Sequence, residues 1–155
     1  MNDAQKKEDG FAGQIAYVLP KEKVQFCTTD IFCKNLYITD VGYYPNAKFH
    51  SRERVNGCAQ YILIYCQKGK GWFQEGEKYY DLNPNDFIII PPNIQHNYGA
   101  DMDNPWSIYW VHFTGELASY YFNQLSYDGN PTPRKAGINT NRILIFDDVI
   151  QHMEL

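Results

Sequence analysis

Short apolar or alternating runs, separated by clusters of turn-forming residues, follow one another through the middle of the chain. They lie at Gln60–Cys66, Trp72–Gln74, Lys78–Leu82, Phe87–Ile90 and Trp106–Phe113, with Gly, Pro or Asn in the segments between them. Runs of this length bounded by such residues are typical of β-strands, and their close spacing is typical of a β-meander. We therefore predict a sandwich or a barrel.

Alternation along the last run predicts that both of its faces are covered. Successive side chains of a strand point to opposite faces. One face of this run carries Trp106, Ile108, Trp110 and His112, and the other carries Tyr109, Val111 and Phe113. A strand that is apolar on both faces lies between a barrel interior and an element packed outside. In the earlier run Phe32–Tyr44, the same rule puts Leu36, Ile38 and Asp40 on one face.

The segments ahead of the meander are less regular. Residues 1–13 are polar and charged, so we predict a mobile arm without fixed structure. The chain becomes apolar from Gln14, and both Lys23–Cys27 and Phe32–Tyr44 are predicted strands. Asn46–Gly57 is polar and contains two arginines, which predicts a loop or an edge segment just before the next strand.

Two helices are predicted after the last strand, within residues 114–155. Thr114 can cap the first helix, whose apolar stripe consists of Leu117, Ala118, Tyr121, Phe122 and Leu125. A loop rich in Gly, Pro and Asn follows, and a second helix begins near Asn141. Its apolar stripe consists of Ile143, Phe146, Ile150 and Met153. Because that stripe still continues at Leu155, we expect another helix or another subunit to cover it, which makes this a candidate dimerisation region.

Length and charge narrow the class of protein. A chain of 155 residues suits one domain. Its net charge of −4 has the wrong sign for a surface that neutralises phosphates, so we do not expect these residues to contact DNA directly. The first residues are polar and no run of about 18 apolar residues occurs, so neither a signal peptide nor a membrane span is predicted. We therefore expect a cytoplasmic protein.

One stretch, DFIIIPPNIQHNY, resembles the second sequence motif of the cupin superfamily. That motif runs from a Gly over five residues to Pro-x-Gly and then a His. Asn85, Pro91, Asn93 and His96 keep its spacing here, with Asn at both Gly positions. Asn tolerates the left-handed backbone conformation better than other residues with a side chain. Ala100 stands where the motif ends in Asn. Without the resemblance, the stretch is also compatible with an ordinary β-turn-β corner and an incidental His.

Three segments together resemble the N-terminal ligand-binding domain of AraC-type transcriptional regulators, bacterial proteins that sense sugars and related small molecules. The segments are YILIYCQKGKGWF, DFIIIPPNIQHNY and DNPWSIYWVHFTGE. The resemblance implies a mainly β fold with C-terminal helices. Residues 14–113 would form a cupin-like jelly-roll barrel and residues 114–155 a helical dimerisation region. It also implies a homodimer, and DNA binding through helix-turn-helix subdomains that this chain lacks.

The resemblance assigns roles to four residues. Arg54 matches an arginine that hydrogen-bonds sugar hydroxyls in the arabinose-sensing member. Tyr98 matches a pocket tyrosine, and Trp110 matches the tryptophan on which the sugar ring stacks. Ile108 stands where that member has a pocket histidine, so we do not expect arabinose to bind in the same way. The family's N-terminal arm closes over bound ligand, which makes Gln14–Thr29 a candidate lid.

Strand parity adds His96 and Trp106 to the predicted wall of the site. A sugar offers an apolar ring face and a rim of hydroxyls, so its site combines an aromatic platform with a few polar groups. Trp110 and Arg54 supply both. The alternative is that Trp110 fills a small barrel and Arg54 pairs with a surface glutamate.

Three functions remain open from the sequence. The first is a non-enzymatic sensor that binds a carbohydrate or similar small molecule, without a metal or another cofactor. The second is a metal-dependent cupin enzyme such as an isomerase or dioxygenase, which needs about three His or carboxylate ligands. Residues 60–75 contain no His, so only His96 is in place for such a site. The third is a dimerisation module with a vestigial pocket.

Overall fold

Ten strands and three helices make up residues 5–154, the part of the chain that the computed structural model describes. The strands are β1 Ile15–Val18, β2 Tyr37–Tyr44, β3 Ser51–Arg54, β4 Tyr61–Lys68, β5 Gly71–Glu75, β6 Lys78–Leu82, β7 Asp86–Ile90, β8 His96–Ala100, β9 Ser107–Thr114 and β10 Arg134–Lys135. The helices are α1 Lys21–Thr29, α2 Ala118–Leu125 and α3 Asn141–Glu154.

The strands form two antiparallel sheets that enclose the core between them. The larger has the order β1-β2-β9-β4-β7-β10 and the smaller the order β3-β8-β5-β6. The buried cluster between them includes Ile62, Ile64, Phe73, Ile88, Ile90, Trp106 and Ile108. This arrangement confirms the predicted mainly β, cupin-like jelly roll. The segment predicted as a loop or an edge segment contains the edge strand β3.

Strand β9 lies in the middle of the larger sheet and is covered on both faces, as its pattern predicts. Ile108 and Trp110 belong to the cluster between the sheets. Tyr109 and Val111 point the other way and pack with residues of α3. The Tyr109 ring stacks on Phe146 at 4.8 Å between centroids. A single strand thus separates the interior of the barrel from α3.

Strand β2 corrects the predicted assignment of faces in this region. Its pairing with β9 shifts by one residue between Ile38 and Asp40. Such an irregularity interrupts strict alternation. As a result Ile38 packs with the outer cluster under α3, whereas Asp40 faces the interior. The prediction that these two residues share a face is therefore wrong.

The turns around β7 agree with the cupin-like spacing. Asn85 and Asn93 adopt φ angles of 69° and 63°. These are left-handed conformations, which a Gly adopts without strain and an Asn tolerates. The two Asn residues at the motif's Gly positions therefore keep its backbone geometry.

Two local predictions are wrong. Lys23–Cys27 was expected to be a strand but lies within α1, which has no buried side chain among the described residues. Local propensity favours a helix at its start, because Pro20 precedes the first turn and Lys21, Glu22 and Lys23 are good helix formers. Thr114 does not cap α2. It ends β9, and the helix begins only after Gly115 has turned the chain at a φ of 136°.

Residues 5–13 pack on the barrel, although the sequence predicts no fixed structure for residues 1–13. Phe11 is buried in the core cluster, and its ring lies 5.0 Å from that of Tyr44. The backbone of Lys7 exchanges hydrogen bonds with the chain at Phe49 and Ser51. The buried ring of Phe11 thus holds in place a segment whose polar composition predicted no fixed structure. Residues 1–4 lie outside the described part of the chain.

The apolar stripe of α3 packs on its own barrel. Ile150 is buried, and Ile143, Phe146 and Met153 pack against the same outer cluster. The barrel thus covers part of this stripe, and because Ile143, Phe146 and Met153 are only partly buried, further cover by another helix or subunit stays a prediction.

Candidate functional site

A cavity of about 250 Å³ opens between the two sheets at one end of the barrel. Strands β1, β2, β3, β4, β8 and β9 and the N-terminal segment contribute to its wall. The lining residues are Glu8, Asp9, Ala16, Val18, Asp40, Tyr44, His50, Arg52, Arg54, Ile62, Ile64, Tyr98, Ile108, Trp110 and His112. Aromatic and aliphatic side chains cover its inner part, and charged groups lie toward its mouth.

Trp110 provides a flat ring on this wall. It projects inward from β9 and pairs across the sheet with Gly42 and Ile64. A Cβ atom on Gly42 would lie 2.4 Å from the Trp110 ring, so only glycine leaves room for the indole. The indole Nε1 is buried and has no hydrogen-bond partner within residues 5–154. Since a buried donor without a partner is costly, an acceptor from a bound molecule would stabilise it.

Arg54 and Tyr98 form a second polar group on the wall. Arg54 ends the edge strand β3, and Tyr98 projects inward from the neighbouring strand β8. Burial raises the pKa of the Tyr98 hydroxyl, and Arg54 beside it acts in the opposite direction. The Nε atom of Arg54 is buried without a partner in the described part of the chain. Arg54 thus offers a second donor without a protein acceptor.

The mouth of the cavity carries charges of both signs. Arg52 forms an ion pair with Glu8 of the N-terminal segment. His112 Nδ1 lies 3.7 Å from Asp40 Oδ2, which also accepts a hydrogen bond of 2.6 Å from the Thr39 hydroxyl. Burial lowers the pKa of His112 to about 4, with Asp40 acting in the opposite direction. His112 is therefore neutral near pH 7.

Four of the six predicted site residues lie on this wall: Arg54, Tyr98, Ile108 and Trp110. His96 and Trp106 are not among the residues that line this cavity. Both point into the barrel as their parity requires, but at a level where the interior is filled. His96 is buried between Phe73 and Tyr98 rings. Trp106 is 0% exposed and donates a hydrogen bond of 3.1 Å from Nε1 to His50 Nδ1.

Sequence reasoning missed several wall residues. Tyr44, His50 and Asp40 come from β2 and the segment after it, where the shift in pairing hides the true alternation. The Tyr44 ring lies 5.4 Å from that of Trp110. His112 had the right parity on β9 and could have been included on that ground alone.

The described residues contain no group of three or more His, Cys, Asp or Glu side chains that could hold a metal ion. Asp40 and His112 are close enough to form a pair, but the other neighbour, Cys58, has its Sγ 4.0 Å from the same Nδ1. The site therefore offers hydrogen bonds and ring faces.

None of the helices in residues 5–154 is long and apolar enough to cross a membrane.

The fold and the cavity define a cupin-like ligand-binding barrel. The model of the AraC-like ligand binding domain matches residues 41–153, which is most of the chain. This chain belongs to that family.

Relatives of known name are transcriptional regulators. The chain is 36% identical over 104 residues to the MmsAB operon regulatory protein of Pseudomonas aeruginosa, a match that covers 63% of this chain and 33% of the relative. It is 33% identical over 58 residues to the raffinose operon transcriptional regulatory protein RafR of Pediococcus pentosaceus, covering 37% of this chain and 21% of the relative. The matched part thus spans a third or less of these relatives.

Solved structures support the fold alone. The protein YhaK from Escherichia coli superposes with a TM-score of 0.57 at 7% identity, over 86% of this chain and 58% of YhaK. ToxT from Vibrio cholerae gives a TM-score of 0.50 at 17% identity, over 76% of this chain and 48% of ToxT. The family match and the names of the relatives support a ligand-sensing regulatory domain.

Proposed function

We propose that the cavity binds a sugar or a chemically similar small molecule, and that binding regulates transcription without any reaction on the ligand. One observation carries the proposal. Trp110 offers a ring face to the cavity, while its own Nε1 and the Nε of Arg54 lack protein acceptors. A sugar matches both features, because its ring has an apolar face and its hydroxyls accept hydrogen bonds. The regulatory names of the relatives favour a sensor, and one of those names refers to raffinose.

Strand β9 offers a route from the cavity to the helices. Trp110 faces the ligand, and its neighbour Tyr109 donates a hydrogen bond of 2.8 Å to Asp147 of α3. A ligand that moves Trp110 also moves the strand beneath α3. For this to switch the protein, the ligand must bind one arrangement more tightly than the other.

The N-terminal segment offers a second route. Glu8 and Asp9 belong to the wall of the cavity, and Glu8 pairs with Arg52. Ligand hydroxyls that bond to Arg52 would compete with this pair or reinforce it. We propose that residues 5–13 respond to ligand in this way, together with Gln14–Thr29, the segment that the family resemblance makes a candidate lid.

We also propose that this domain forms a homodimer. Leu144 and Ile145 of α3 are each 64% exposed, and Leu125 of α2 is 46% exposed. Leu125 and Ile145, with their neighbours, border an apolar groove of about 630 Å³ between the helices and the larger sheet. Exposed apolar surface of this kind marks interaction sites. DNA contact, in this proposal, is made by parts of the regulator other than this domain.

Calorimetric titration against a panel of mono- and disaccharides tests the proposal. We expect at least one sugar to bind, and Trp110→Leu to weaken its binding about three- to tenfold, because leucine keeps an apolar side chain but removes the ring face. Trp72→Leu is the matched control, since Trp72 stacks on Tyr79 away from the cavity. Failure of every sugar to bind, or equal losses in both variants, contradicts the proposed site.

A further inference from the structure

A second chamber of about 390 Å³ continues the cavity outward. The two chambers share Val18, Asp40, Arg52, Arg54 and His112 on their walls. The four polar residues among them form a neck, and a molecule in the inner chamber would meet the outer chamber at this neck.

The inner chamber is too shallow to hold a large ligand. Its volume of about 250 Å³ lies below the roughly 300 to 1,000 Å³ of typical small-molecule sites. It cannot extend deeper, because the buried pair of His50 and Trp106 closes that side. A ligand with more than one ring has to continue through the neck.

The outer chamber is lined by hydrogen-bonding groups of both kinds. Gln60 carries an amide that both donates and accepts, Asp40 accepts, and Arg52 donates. Leu19, just after β1, and Val24 of α1 add an apolar side. Hydroxyl groups also donate and accept, so this lining suits a hydroxylated unit.

Charge balance argues against an anionic unit. The neck contains two arginines, but Asp40 lies among them and Arg52 is already paired with Glu8. His112 is neutral near pH 7 because burial lowers its pKa to about 4. A carboxylate or phosphate would meet Asp40 as well as the arginines.

We propose that the outer chamber is a second subsite, and that the ligand is a neutral disaccharide or glycoside with one ring on Trp110 and its second unit against Gln60. This rests on the proposed function of the inner chamber. The second unit adds hydrogen bonds to charged side chains, and one such bond accounts for about a tenfold gain in affinity.

Calorimetry with methyl glucoside, methyl galactoside, disaccharides containing these rings, and glucuronate tests the subsite. We expect a disaccharide to bind at least about tenfold more tightly than its matching methyl glycoside. Glucuronate should bind no more tightly than methyl glucoside. Val24→Trp fills the outer chamber and should remove the gain while leaving the methyl glycoside unaffected. Lys23→Trp, on the exposed side of the same helix, should change neither.

Gln60→Leu is the second variant, because it keeps the side-chain size and does not depend on helix α1. It should also reduce the gain. Equal affinities for a methyl glycoside and its disaccharide would overturn the second subsite, and so would a gain in affinity that survives in both Val24→Trp and Gln60→Leu. Neither result would contradict the proposed sensor function. Tighter binding of glucuronate than of methyl glucoside would contradict the proposal that the ligand is neutral. Binding by none of the probes overturns the proposed function together with the subsite.

Discussion

Two tryptophans, Trp106 just before β9 and Trp110 within it, have opposite surroundings. Trp106 is fully buried, and its Nε1 donates to His50. Trp110, four residues further on, is only partly buried, borders a cavity, and has an Nε1 without a partner in the described chain. Strand parity cannot separate them. What separates them is whether the protein itself completes the surroundings of the ring, and this distinguishes a core residue from a candidate ligand contact.

The largest expected difference between these residues is in stability. We expect Trp106→Ala to lower the free energy of unfolding by about 3 to 5 kcal/mol, because it empties a closed, packed space. Trp110→Ala should cost at most about 2 kcal/mol, because its ring is partly exposed and water can enter the cavity beside it. Urea denaturation of both variants measures this. Equal losses would mean that the Trp110 side of the barrel is packed as tightly as the Trp106 side.

A smaller effect is expected from the glycine that faces Trp106. A Cβ atom on Gly71 would lie 1.9 Å from the Trp106 ring, so Gly71→Ala forces the ring aside. Overpacking of this kind costs about 1 to 3 kcal/mol. In a Trp106→Leu background the same substitution should cost less, which a double-mutant cycle of unfolding free energies would measure. The same cost in both backgrounds would show that the ring is not the obstacle.

The third effect is on the pH dependence of stability. Burial, with a smaller contribution from Arg52, lowers the pKa of His50 from 6.5 to about 3. The unfolded chain therefore binds more protons than the folded one between these values, so the stabilisation is complete above pH 6.5 and is lost as the pH falls toward 3. Between pH 7 and pH 5 this amounts to about 2 kcal/mol.

Urea denaturation at several pH values checks this expectation. His50→Gln keeps an acceptor for Trp106 Nε1 but cannot be protonated, so the variant should lose about 2 kcal/mol less than the parent over this range. An unchanged pH dependence in His50→Gln would mean that the Trp106 side of the barrel does not hold a neutral imidazole.

The strands of the meander, the covered faces of β9 and the start of α3 could be predicted because they follow from local patterns. Periodicity and turn residues carry that information. The difference between Trp106 and Trp110 could not be predicted from local patterns. It depends on His50, which is 56 residues earlier in the chain, and on two glycines in different sheets, Gly71 and Gly42. Only the pairing of strands brings these residues together.

Helix α1 shows the opposite limitation. Val24 and Phe26 alternate with polar residues, which favours a strand, yet these residues form a helix. Because no side chain of α1 is buried among the described residues, packing does not select the structure, and helix-forming residues such as Lys21 decide it. Where burial is weak, a short hydrophobic pattern is a poor guide.

The irregular step in β2 shows that the number of residues in this strand decides which of its side chains a ligand in the cavity contacts. With Thr39 present and no irregularity, strict alternation would put Ile38 and Asp40 on one face, so one half of the strand would have to present its opposite surface. Either Ile38 would enter the barrel, or Asp40 and Tyr44 would leave it. Deleting Thr39 itself would keep the present faces, whereas a one-residue insertion or deletion between Asp40 and Tyr44 would exchange several contacts at once, a larger change in binding chemistry than any single replacement on the same strand.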